Sequence, residues 1–120
     1  MQYGRSVPPQ LFAGNRVSDF ATALPWYERL LGAEPSFFPH DTEAVWELSQ
    51  HGLVYIVEKA DRSGGSLTML FYEDVEAVVA EISARGIEPL ERERYPGKAR
   101  KAIYRDADGN QIEFGGPDLG

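Results

Sequence analysis

The sequence predicts an α+β chain made of two βαβββ modules in tandem, sharing a concave, partly open barrel-like sheet. Three observations predict it. First, Val17-Ser18-Asp19, an apolar helix-like run and Gly32-Ala33-Glu34-Pro35 are echoed by Tyr72-Glu73-Asp74, a second such run and Gly86-Ile87-Glu88-Pro89. Second, Asp19 and Asp74 stand 55 positions apart and Gly32 and Gly86 stand 54 apart. A fixed period of that size marks two copies of one supersecondary unit. Third, each copy continues into three short extended segments, and neither copy can cover its sheet alone. The expected division is a module over 8–60, a linker over 61–66 and a module over 67–115, within one domain.

Each element follows from local chemistry. Leu11 to Val17 reads as a strand. Asp19 then caps a helix, its carboxylate accepting from the free amides of the first turn. Phe20, Leu24, Tyr27 and Leu31 recur on one helical face. Pro25 lies within that run and predicts a bent or interrupted first turn. Gly32 ends the helix in the left-handed conformation that glycine tolerates. Extended pieces follow at 35–38, 44–49 and 53–58, with Gln50-His51-Gly52 as the turn between the last two. Asp-Arg-Ser-Gly-Gly-Ser over 61–66 is the flexible-looking linker. In the second copy Leu67 to Tyr72 is a strand, and Asp74 caps a helix bearing Val75, Val78, Val79 and Ile82 on one face. Gly86 ends it, and 88–91, 99–105 and 110–114 are extended, with Asp106-Ala107-Asp108-Gly109 as a turn. Pro8-Pro9 reads either as a stiffened N-terminal arm for a dimer contact or as an ordinary boundary before the first strand.

Composition narrows the function. The net charge of −7 argues against nucleic acid as a partner, because such binding rests on phosphate neutralisation. Arg92, Arg94, Lys98, Arg100 and Lys101 are interleaved with Glu91 and Glu93, which reads as a solvated surface. No apolar stretch approaches the roughly 18 residues of a membrane span. Met1 to Pro9 lacks the layout of a signal peptide, and the chain has no cysteine. A cytoplasmic protein is therefore expected. His40 and His51 both fall in turns, and no phosphate loop, nucleophile elbow or paired-histidine helix is present.

Val17-Ser18-Asp19, Trp26-Tyr27-Glu28-Arg29-Leu30-Leu31-Gly32 and Arg105-Asp106-Ala107-Asp108-Gly109-Asn110-Gln111-Ile112-Glu113 resemble the vicinal oxygen chelate superfamily. That group includes glyoxalase I, extradiol dioxygenases and the fosfomycin and bleomycin resistance proteins. Ala107 stands where the family's turn usually has proline. The resemblance implies metal ligands on the first and last strand of each module. By family spacing they fall on Phe12, Ile56, Leu67 and Glu113. Three of these cannot bind a metal, so no metal and no cofactor are expected. Strand alternation gives the expected lining of the cleft: Phe12 and Arg16, Ile56 and Glu58, Leu67, Met69 and Phe71, and Gln111 and Glu113, with Trp46 added although the phase of its strand is open. Asn15 would face the helices and need a polar partner there.

Three readings follow. The leading one resembles the bleomycin resistance branch: a metal-independent protein that confers antibiotic resistance by holding an aromatic or cationic small molecule in a cleft of a homodimer. The second is a metal-dependent lyase, isomerase or dioxygenase of the glyoxalase type. The third is a non-catalytic interaction subunit whose cleft is filled by its own side chains.

Overall fold

The computed structural model describes residues 9–120. The expected module start at residue 8 and the Pro8 half of the proline pair lie outside them. Two four-stranded mixed sheets are present. The N-terminal sheet has the order β1-β4-β3-β2, from β1 (Leu11–Val17), β2 (Phe37–His40), β3 (Glu43–Ser49) and β4 (Gly52–Glu58). The C-terminal sheet repeats it as β5-β8-β7-β6, from β5 (Leu67–Phe71), β6 (Glu91–Tyr95), β7 (Ala99–Arg105) and β8 (Gln111–Pro117). In each, the first strand runs parallel to the last and the other pairings are antiparallel. The sheets do not close into a barrel.

Helix α1 (Phe20–Leu31) follows β1 and helix α2 (Val75–Ala84) follows β5. Asp19 caps α1 by accepting from the amides of Ala21 and Thr22, and Asp74 caps α2 by accepting from Ala77. Gly32 closes α1 at φ 76°, its amide donating to the Glu28 carbonyl. The helix runs unbroken through Pro25, so the expected interruption does not occur.

Both modules contribute to one core. Val17, Tyr27, Leu30, Trp46 and Ile56 from the first join Val79, Ile82, Tyr104, Ile112 and Phe114 from the second in a single apolar cluster. Polar contacts fasten the same seam. Ser18 donates its amide to Asp108 (3.0 Å), and Asn110 donates its side-chain amide to the Arg16 carbonyl (2.7 Å). Asn15 is fully buried on the helix side, and Ser66 Oγ donates to its Oδ1, while its Nδ2 has no partner among the described residues. The expected linker is thus tied down. It contains a 3₁₀ turn at Ala60–Arg62, and Gly64 and Ser66 donate to the Arg16 carbonyl and Asn110 Oδ1.

At the far end of the helices Arg85 donates to the carbonyls of Arg29 (2.6 Å) and Leu30 (3.5 Å). These are orphan acceptors at the negative end of α1, so the guanidinium both pairs them and complements the helix dipole. Arg85→Ala is expected to lower stability by about 1 kcal/mol. Urea unfolding checks this, and an unchanged midpoint would show that the contact contributes nothing.

Three strand boundaries differ from expectation, the first being the strand expected at 35–38, which lies at Phe37–His40 and takes His40 out of its expected turn. The strand expected at 88–91 lies at Glu91–Tyr95, because Gly86 and Pro89 keep the preceding segment irregular. Its arginines are held by distant carboxylates, Arg92 by Glu76 (2.6 Å) and Arg94 by Asp118 (3.1 Å). The last strand extends to Pro117 through two glycines. A Cβ on Gly116 would stand 2.5 Å from the Tyr72 carbonyl oxygen and 2.9 Å from Val75 Cβ, so only glycine lets β8 pass beneath the start of α2.

Candidate ligand-binding site

Each sheet has one face against the helices and one face open, and strand pairing decides which side chains stand on each. On the N-terminal sheet Phe12, Gly14 and Arg16 of β1 pair with Leu53, Tyr55 and Val57 of β4. These six share the open face. The Tyr55 ring lies across Gly14, where a Cβ would stand 2.4 Å from its Cζ. Phe12 meets the same ring edge-on, with centroids 6.2 Å apart.

This register corrects three expected site residues. Ile56 faces the helices and is fully buried in the core. Glu58 shares its phase, and its Oε1 accepts from the Phe20 amide at the start of α1 (2.9 Å) instead of facing a ligand. Trp46 pairs with Val54 and so lies on the helix side. Its indole donates to the Ala33 carbonyl (2.8 Å) and its ring packs 6.1 Å from that of Tyr27. The physical reason is a slip of one residue. Leu53 occupies in the first sheet the place of Gln111 in the second, so the counterpart of Gly109 is His51 and not Gly52. In a strand a shift of one moves every side chain to the other face. Tyr55 and Val57 are the open-face residues this slip concealed. Nothing local in the sequence marks Tyr55, whose place across from Gly14 depends on the β1–β4 register.

On the C-terminal sheet Leu67, Met69 and Phe71 of β5 pair with Gln111, Glu113 and Gly115 of β8. All five of the expected side chains here stand on the open face. Gly115 lies beneath Met69 and Phe71, since its Cβ would come within 3.0 Å of the Met69 sulfur. Next to this apolar strip runs a chain of paired polar groups. Glu113 accepts from Lys101 (3.1 Å) and from Gln111 Nε2 (2.7 Å). Gln111 Oε1 in turn accepts from Arg105 (2.9 Å), which also reaches Glu91 (3.5 Å). Tyr95 donates to Glu93 (2.8 Å), which lies 3.9 Å from Lys101. The hydrogen bond to Glu113 raises the Lys101 ammonium above its ordinary range, against the opposing effect of desolvation. Lys101 was legible as basic but not as the partner of Glu113, which depends on β7–β8 pairing.

Residues 12–114 match the family model described as the Glyoxalase/Bleomycin resistance protein/Dioxygenase superfamily. The chain belongs to that superfamily. A glyoxalase/bleomycin resistance protein from Catenulispora acidiphila DSM 44928 is 47% identical, with a TM-score of 0.89 over 92% of this chain and 100% of that one. A bleomycin-binding protein solved in complex with bleomycin is 15% identical, with a TM-score of 0.74 over 92% of this chain and 100% of its own. The bleomycin resistance determinant encoded on transposon Tn5 is likewise 15% identical at a TM-score of 0.74, covering 93% of this chain and 100% of its own. The last two show the fold alone. No curated protein sequence matches the chain.

Members of this superfamily that chelate a metal need donors at the four corresponding strand positions. With the corrected register these are Phe12, Tyr55, Leu67 and Glu113. A divalent cation wants imidazole or several carboxylate oxygens, and here the one carboxylate already holds an ammonium and an amide. This donor set does not fit a metal. Among the described residues no three histidine or acidic side chains cluster elsewhere. None of the described helices is long and apolar enough to cross a membrane.

A second hollow, of about 420 Å³, lies between α1 and the β7–β8 turn, against Trp26, Arg29 and Asp108. Asp106 and Asp108 in its wall are occupied with joining the modules.

Proposed function

We propose that this member of the superfamily binds an aromatic small molecule without chemical change and without a metal, on the open faces of its two sheets. Two copies pairing about a two-fold axis would set open faces against each other and enclose equivalent clefts. The observation that carries the reading is the uncovered apolar strip of β5, matched by Phe12 on the open face of the other sheet. Leu67 is 68% exposed, Phe71 64%, Phe12 47% and Met69 43%. Large apolar side chains grouped on one face are costly unless a ligand or partner covers them. A protein of the same fold was solved with bleomycin bound, which supports sequestration of a drug-like compound as the role. The cationic half of the original expectation loses its basis, because Glu58 is absent from the face and Glu113 is neutralised by Lys101. An aromatic body remains favoured.

The test uses the neutral dye N-phenyl-1-naphthylamine, whose fluorescence rises on entering an apolar site. Wild-type protein is expected to bind it, and Phe71→Ala to weaken binding about tenfold through lost apolar contact. Sedimentation should show a dimer that the same substitution loosens. Unaltered dye affinity in Phe71→Ala would remove β5 from the site. Stoichiometric Ni, Zn, Mn or Fe(II) retained after desalting, and lost in Glu113→Ala, would overturn metal independence.

A further inference from the structure

We infer that the ligand carries an acidic group, seated by Arg16 and Tyr55 in a recess where the N-terminal sheet meets the start of β5. The inference rests on the reading of the open faces as a ligand site and names the class of compound that would occupy it. The recess has a volume of about 230 Å³ and is lined by Gly14, Arg16, Tyr55, Val57 and the linker residues 64–66. It is smaller than a whole drug-sized pocket and suits one polar end of a ligand whose body lies along the neighbouring apolar strip.

The charge pattern singles out Arg16. The other cations of the open faces, Lys101 and Arg105, are both held by carboxylates. Among the described residues Arg16 forms no ion pair. A guanidinium presents a planar fork that matches a carboxylate with two parallel hydrogen bonds. The backbone around it is fixed, because Gly64 donates to the Arg16 carbonyl (3.1 Å) and Ser66 to Asn110 Oδ1 (3.1 Å). Gly14 makes room for the Tyr55 ring and Gly64 for the Asp108 carbonyl oxygen, while a Cβ on Gly65 would meet nothing. Gly64 and Gly65 also stand at φ 84° and 82°, a region glycine occupies freely. The Tyr55 phenol, laid across Gly14, adds a hydroxyl donor.

The source of the anion follows from the rest of the chain. A protein of net charge −7 repels small free anions at long range. An acid that brings an apolar body gains contact with Leu67, which directly follows the linker, and with the aromatic pair Phe12 and Tyr55. The favoured class is therefore an aromatic carboxylic acid, not a bare inorganic anion.

Three matched probes test this: 2-naphthoate, 2-naphthylmethanol and 2-naphthylmethylammonium, each titrated calorimetrically into the full chain. The acid is expected to bind about tenfold tighter than the alcohol and the ammonium weakest. Arg16→Gln should abolish the advantage of the acid and leave the alcohol unchanged, which also shows that the variant is folded. Tyr55→Phe should weaken the acid about threefold. Acetate at millimolar concentration should not compete; competition would overturn the requirement for an apolar body. Equal binding of acid and alcohol, or an equal loss of all three probes in Arg16→Gln, would overturn the acidic subsite while leaving the ligand face in place. Failure of all three to bind wild-type protein would overturn both.

Discussion

Trp46→Ala is expected to destabilise the protein by about 3–5 kcal/mol, a large part of the roughly 5–15 kcal/mol that holds a domain folded. The side chain is 1% exposed and packs against Tyr27, and its indole satisfies the Ala33 carbonyl just after α1. Alanine would leave a cavity and an unpaired acceptor together. Phe71→Ala, by contrast, removes a ring that is 64% exposed and should shift the stability of a single copy by no more than about 0.5 kcal/mol. Urea unfolding at low protein concentration, followed by circular dichroism, separates the two. The pair distinguishes core from site. If Trp46→Ala unfolded with the wild-type midpoint while losing dye binding, the strand phase described above would be wrong.

That contrast also locates what the sequence could and could not reveal. The repeat was legible because its punctuation is chemical: an aspartate cap before each helix and a glycine after it work through local hydrogen bonding and backbone freedom. The faces of β1 and β5 were legible because family spacing sets Phe12 and Leu67 seven residues before the capping aspartates, and beyond Leu11 both strands alternate between packed and open side chains. In β3 the run Ala44-Val45-Trp46 is buried on both faces, so alternation carries no signal there. In β4 the phase depended on how many residues the preceding turn uses, and counting from Gly52 missed by one. Side-chain partners were the least accessible layer. Lys101 meets Glu113 and Arg92 meets Glu76 only because of pairing set by the whole sheet and by the packing of α2. Arg16 is the exception. Its place on the open face followed from β1 alone, although its freedom from any carboxylate among the described residues could be seen only once the other charges had been paired.

The second large effect is expected at Asp106, in the β7–β8 turn that fastens the second module to the first. Its carboxylate accepts four hydrogen bonds: the Tyr27 hydroxyl (2.7 Å), the side-chain amide of Asn110 (2.8 Å), and the backbone amides of Asp108 and Asn110 (2.9 Å each). Asp106→Ala would orphan the buried Tyr27 hydroxyl and release the turn whose Asp108 and Asn110 grip the Ser18 amide and the Arg16 carbonyl. The expected cost is about 3–4 kcal/mol, from several buried donors left unmet at once. Tyr27 supplies an independent test through pH. Burial first, and the Asp106 charge second, raise its phenol far above the ordinary tyrosine range. A raised folded-state value means that the stabilisation is complete below the unfolded tyrosine pKa of about 10 and is lost as pH rises beyond it. Above pH 10 Tyr27 removes up to about 1.4 kcal/mol per pH unit, and burial raises Tyr72 and Tyr104 in the same direction. The wild-type protein should therefore weaken steeply between pH 10 and 11, and Tyr27→Phe should weaken less steeply by about one proton's worth. Urea midpoints at pH 9, 10 and 11 measure both slopes. Parallel slopes would mean that Tyr27 ionises as freely in the folded chain as in the unfolded one, and that the turn does not bind the modules through this contact.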